Sequence, residues 1–148
     1  MKQDIKELVS RYIEEHGETA LIHALKVDHI DVESGVLTII VNEGIHPLSK
    51  HHKRGELFIA SSGSLDFSSK ELAEEEFKKI LKRVAIKLKS HSWEKVFLVP
   101  FGPAVLSMLI KNLVYKILYI DTIDVLHAGN GKHYDIEIDL REIALSLP

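Results

Sequence analysis

Residues 95–110 read KVFLVPFGPAVLSMLI, and the placement of this stretch decides the fold. KVFLVP is a short unbroken apolar run, which suits a strand buried on both faces of a sheet. Pro100, Gly102 and Pro103 make the turn that follows, and Pro103 stands where the first residue of a helix tolerates proline. From Ala104 to Leu118 the chain is apolar nearly all round, the mark of a buried helix. A buried strand feeding a buried helix points to a sheet covered by helices.

The same grammar extends in both directions. Upstream, ELFIASSGSLD is a second short apolar run ending in a small polar turn. Ser68 and Glu71 form a Ser-x-x-Glu capping box ahead of a long helix, whose apolar face carries Leu72, Phe77, Leu81, Val84 and Leu88. Downstream, IDTIDVLH is a third strand, Ala128-Gly129-Asn130-Gly131 is a hairpin turn, and HYDIEIDL alternates as a strand with one wet face. The order strand, helix, strand, helix, strand, hairpin strand describes an open α/β sandwich. Ahead of it, Ile5, Leu8, Val9, Tyr12 and Ile13 recur at helical spacing up to Gly17. TALIHAL fits a helical turn or the start of a strand, and KVDHIDV with VLTIIVN reads as a hairpin about Glu33-Ser34-Gly35. The chain is read as a single domain over 1–148. Residues 1–54 hold the N-terminal helix, hairpin and basic loop, and 55–148 the α/β core.

The totals narrow the function. At 148 residues the chain can bury a core without staples, and 45% hydrophobic with 28% charged residues is ordinary for a globular protein. A net charge of −3 argues against binding to duplex nucleic acid, which needs a broad basic face. There is no cysteine, so disulfides, thiolate zinc sites and cysteine nucleophiles are excluded together. The amphipathic, charged N-terminus is not a signal peptide, and Lys111, Asn112 and Lys116 break the longest apolar region. A cytoplasmic protein without membrane contact is expected.

Open α/β sheets bind ligands beyond the carboxyl ends of their parallel strands. Two such ends are equipped for this. Ser61, Ser62, Gly63 and Ser64 offer hydroxyls and backbone N–H groups to a phosphate or a base edge. Phe101, Gly102 and Pro103 offer a stacking ring and a close backbone approach. Each loop alone also reads as plain turn geometry. Neither carries a Walker or GxGxxG pattern, and the absence of G-x-S-x-G argues against a triad hydrolase.

ELFIASSGSLD, the long helix, KVFLVPFGPAVLSMLI, IDVLH and YDIEIDL together resemble the CARF and SAVED ligand-sensing domains of prokaryotic defence systems, over residues 55–140. The resemblance implies a Rossmann-like fold, a mostly parallel sheet flanked by helices, here with the N-terminal helix and β-hairpin added. It also implies a cyclic oligonucleotide ligand, usually cyclic oligoadenylate, shared across a homodimer and faced by Ser61, Ser62, Gly63 and Gly102. The chain has length for one CARF-like half and no effector domain. It would therefore either cleave the messenger as a stand-alone ring nuclease or pass the signal to a separate partner.

Cleavage directs attention to NEGIHPLSKHHKRGE, residues 42–56, the densest basic run in the chain. Attack by a ribose 2′-OH on the adjacent phosphate needs no metal or cofactor, only alignment, charge stabilisation and proton transfer. His46, His51, His52 and Lys53 are the candidate catalytic groups, with Arg54 as a phosphate clamp. A solvated surface loop and a hold on ligand without chemistry compete with this reading. A metal site is disfavoured, because adjacent His51 and His52 point apart and no HExxH pattern is present. Elsewhere, His127 and His133 approach each other across the hairpin turn, as packing or as a cleft-edge pair. Lys111, in an apolar helix, would snorkel outward or reach a dimer partner's ligand.

Overall fold

The computed structural model describes residues 2–22, 35–44, 48 and 52–146. The chain divides into two compact units, Met1–Ser34 and Gly35–Pro148. In the first, helix α1 spans Lys2–His16. Gly17 ends it with φ +87°, its N–H donating to Ile13 O at 2.8 Å, and a further helical turn covers 18–22.

The second unit holds β1 (Val36–Ile40), β2 (Glu56–Ile59), α2 (Lys70–Lys89), β3 (Lys95–Val99), α3 (Ala104–Leu118), β4 (Ile123–His127), β5 (His133–Ile136) and α4 (Leu140–Ser146). The sheet order is β2-β1-β3-β4-β5, parallel except for β5, which runs antiparallel to β4. This is the expected Rossmann-like α/β architecture. The α/β unit begins at Gly35 rather than Gly55, because VLTII is an interior strand of its sheet.

That placement revises the reading of the N-terminal hairpin. Its first strand, KVDHIDV, lies outside the described residues. Its second, β1, has β2 on one edge and β3 on the other, both parallel, so no edge is left for an antiparallel mate. Leu37, Thr38 and Ile39 are fully buried and Ile40 nearly so. The two-faced burial expected of ELFIA thus belongs to VLTII. β2 is an edge strand with Leu57 exposed, because one neighbour leaves its other side to water. Gly55 makes the entry to β2 possible: at φ +64° its backbone passes so near Val36 that a Cβ would fall 2.0 Å from the carbonyl oxygen.

Helices α2 and α3 cover one face. Ile80, Val84 and Leu88 of α2 join Leu106, Ile110 and Val114 of α3 over Leu37, Ile39, Val41, Val96 and Leu98. On the opposite face, Ile40, Val99 and Val125 form a smaller cluster with Leu48. The α2 cap is Ser69, whose side chain accepts from Leu72 N at 3.1 Å. Ser68 instead donates its N–H to Asp66 Oδ1, so the capping pattern sits one residue later than the Ser-x-x-Glu spacing predicts. Pro103 is the N-cap of α3 and Ala104 its first residue.

At the far edge the hairpin forms as predicted, with Ala128 N–H on Lys132 O. The strand stops at Ile136 where the alternating pattern ran on to Leu140. Asp139 Oδ1 accepts from the N–H groups of Arg141 and Glu142, and this cap starts α4 instead. The Lys111 ammonium, with the side chain one-third exposed, donates to Thr122 Oγ1 at 2.8 Å and Asp124 Oδ2 at 2.7 Å, pinning α3 to β4. Among the described residues no helix is long and apolar enough to cross a membrane.

Ile110 is fully buried between the two helices and the sheet. Ile110→Ala is expected to cost about 2–5 kcal/mol of unfolding free energy in chemical denaturation, from lost burial plus the cavity left behind.

Candidate functional site

The chain leaves β1 toward β2 on one side and later returns to β3 on the other. The sheet order therefore reverses between β1 and β3, and the connections at their carboxyl ends diverge into a crevice. A cleft of about 500 Å³ occupies that position, lined by Asn42, Gly44, Gly63, Ser64, Pro100, Phe101 and Gly102. The two loops singled out from sequence are thus brought together, with a third from β1.

Asn42 holds the three loops in register. Its Nδ2 donates to Gly63 O at 3.1 Å, and its Oδ1 lies 3.2 Å from Ser61 Oγ. Gly102, at φ +90°, approaches so closely that a Cβ would sit 2.6 Å from Asn42 Cβ. The glycine is needed for loop-to-loop contact. Reading VLTIIVN as half a hairpin hid Asn42; as the end of an interior parallel strand, the same residues mark it as a cleft residue.

The serines divide by role. Ser61 is buried and donates to Val41 O at 2.6 Å, so it fastens the cleft floor. Ser62 extends the sheet through a parallel bridge to Glu43, and Gly63 N–H is spent on Glu43 O. The side chains of Ser62 and Ser64 are exposed and make no hydrogen bond to another described residue. At the start of α3, Pro103 supplies no side-chain cap, and the first turn carries no acid. The helix therefore presents its N-terminal N–H groups and positive dipole end without a side-chain cap or an acid of its own first turn. Phe101, half-buried, packs against Ile40, Val99 and Val125 and walls the cleft. Among the described lining residues no side chain carries a charge.

Of the basic stretch, Arg54 and His52 sit on the helix-free face. Arg54 is anchored by its backbone: Thr38 Oγ1 donates to Arg54 O at 2.6 Å and accepts from Arg54 N at 3.1 Å. Its guanidinium lies 3.6 Å over the Phe97 ring and grips Asp135 of β5 in a two-pronged ion pair, Nη2 to Oδ1 at 2.7 Å. Arg54 is thereby committed to the sheet rather than to the cleft. Its hydrogen bonds hold the Asp135 carboxyl below the usual carboxylate range; burial opposes them, and the charges of Arg54 and then His52 add to the lowering.

His52 Nδ1 lies 4.0 Å from Asp135, and its ring is 4.9 Å from that of His133. His133 Nε2 is 3.1 Å from His127 Nδ1, so the two histidines flanking the turn do meet. The His133 ring stands 6.4 Å from Phe101, which links this cluster to the cleft wall. Lys53 is exposed, while His46 and His51 lie outside the described residues. Among the described residues no three His, Asp or Glu side chains are grouped to hold a metal ion. The cluster escaped emphasis in the sequence because its members come from three separate segments; the AGNG turn between His127 and His133 was its one local signal. Comparison with protein-family models, curated proteins and solved structures finds no match to the chain.

Because the Asp135 pKa is lowered on folding, its contribution to stability is present above the unfolded value of about 3.9 and is lost as pH falls through the folded value. Thermal melts across the acid range should therefore show Asp135→Asn less stable at neutral pH, with a shallower loss on acidification than wild type. An unchanged acid slope would mean that the Arg54 pair contributes nothing to stability.

Proposed function

We propose that this protein binds a cyclic oligoadenylate messenger in the switch-point cleft and opens the ring without a metal. The observation that carries this reading is convergence at one end of the sheet. A cleft with an exposed serine hydroxyl, an aromatic wall and a helix N-terminus without a side-chain cap adjoins a cluster of imidazoles. Ser62, Ser64 and the N–H groups beginning α3 suit phosphate oxygens, and Phe101 suits the face of an adenine. Gly63, Gly102 and Pro103 shape the backbone around them, and Ser61 and Asn42 hold those loops in place. Arg54 contributes by fixing the wall against which the ligand rests.

A ring of several nucleotides exceeds one cleft of this size, so two copies would share it. An apolar surface suited to such pairing lies on the helix-covered side. Leu126 and Tyr134 are cross-strand partners, 50% and 52% exposed. Met108, 63% exposed, precedes Lys111 by one turn and lies toward the same end of the sheet as Leu126, since Lys111 is pinned to Asp124. Met108→Glu should shift the protein toward monomer in sedimentation equilibrium and weaken ligand binding without lowering the melting temperature.

A receptor that signals through a separate partner is the second reading, favoured because none of the described lining residues has a titratable side chain. One incubation separates the two. The protein is mixed with cyclic tetra-adenylate in EDTA, binding is read by calorimetry and products by chromatography. Linear products are expected, and Gly102→Ala, which drives a Cβ into Asn42, should bind at least about tenfold more weakly. Binding with intact ligand would leave the receptor, and loss of turnover in EDTA would call for a metal. No binding at all would remove the proposal.

A further inference from the structure

We propose that α3 pairs in parallel with α3 of a second copy along one heptad stripe, and that Asn112 sets the register. The purpose of the pair rests on the shared-ligand reading above; the stripe itself stands on exposure and spacing.

From Ala104 to Leu118 the helix is apolar nearly all round, yet the core takes only the side that carries Leu106, Ile110 and Val114. The other side is open. Val105 is 56% exposed, Met108 63%, Tyr115 38% and Tyr119, the C-cap, 74%. Neighbouring α2 shows what a solvated side looks like in the same layer: Glu71, Glu75, Lys78, Lys82 and Lys89 face out from it. A helix apolar on both sides belongs where both are covered. With Leu126 and Tyr134 beside them, these residues leave roughly 600 Å² of mostly apolar surface open on each copy, close to the ~800 Å² per partner of a standard interface.

The spacing selects the partner. Val105, Met108, Asn112 and Tyr115 fall at a, d, a and d of a heptad, and Tyr119 closes the stripe at the next a. A β-branched residue at one a position and a single asparagine at another suit two parallel strands. Asn112 is exposed, and its side-chain amide makes no hydrogen bond to a described residue. In a parallel pair it faces its own copy, and the two amides bond each other. An antiparallel pair would set each amide against Met108 or Tyr115 and leave it unsatisfied. The nearest cation, Lys111, is turned to Asp124, and Arg141 donates to Tyr115 Oη at 2.6 Å, holding that ring at the margin of the stripe.

The parallel arrangement has a consequence for the cleft. It brings the N-termini of the two α3 helices to the same end, so both clefts open side by side, where one ring of nucleotides reaches both. Like-poled helix ends repel, and an anion between them relieves this.

The chain has no cysteine, so one introduced thiol reports one position. Val105→Cys, Met108→Cys and Asn112→Cys are made singly in the full chain and oxidised mildly, with Lys82→Cys on α2 as the control. Disulfide-linked dimers are expected from all three and not from the control, with unchanged melting temperatures in the reduced state. A link at only one position marks an antiparallel contact, and links at none mark no contact; either overturns the proposal. Calorimetry with cyclic tetra-adenylate on the linked Val105→Cys dimer separates the seam from its purpose. One ring per two chains is the expected stoichiometry. A linked dimer that binds no ring keeps the seam and removes the shared-ligand reading, whereas binding by a protein that links at none of the three positions does the reverse.

Discussion

The α/β unit depends on one constraint, the burial of Val36–Ile40 on both faces and both edges. A strand with no exposed side must have its hydrogen-bonding groups paired on either hand, and β2 and β3 meet that need in parallel register. Parallel pairing in turn demands crossovers. The one through α2 carries the chain from β2 on one side of β1 to β3 on the other. The reversal of direction at β1 opens the cleft, so the site follows from the burial of one five-residue strand.

The two faces of that strand are satisfied in different ways. Leu37 and Ile39 meet the apolar stripes of α2 and α3, an arrangement maintained by burial alone. Thr38, facing the other way, is buried and polar, and its hydroxyl is satisfied by both backbone groups of Arg54. This anchors the end of the basic stretch. The guanidinium then spans Phe97 of β3 to reach Asp135, joining β1 to the edge strand β5 across the helix-free face. A positive residue that appears from sequence to await a phosphate is therefore spent on holding the sheet together.

Much of the fold was legible because burial leaves periodic marks. The apolar runs at 95–99 and 123–127, the helical stripe from Leu72 to Leu88 and the AGNG turn each carry their signal within a few residues, and each forms as expected. The misplaced elements share a cause. VLTIIVN next to a Glu-Ser-Gly sequence satisfies a local hairpin pattern, yet its neighbours come from residues far along the chain. Similarly, EIDL alternates like a strand, but the Asp139 side chain caps a helix there, with Glu142 three residues on. Local pattern cannot rank two outcomes that both satisfy it.

The sequence by itself determined which segments are buried strands and helices, because apolar spacing follows from the geometry of the backbone and the cost of exposing apolar surface. It also placed the Ser61–Ser64 and Phe101–Pro103 loops at strand ends. Tertiary structure decided that β1 lies between β2 and β3, that Asn42 locks the loops, and that Arg54 serves Asp135. It likewise brought His52, His127 and His133 together beside Phe101. Those outcomes turn on strand order and on contacts between distant residues, which the free energy of the whole packed unit selects and no short window of sequence contains.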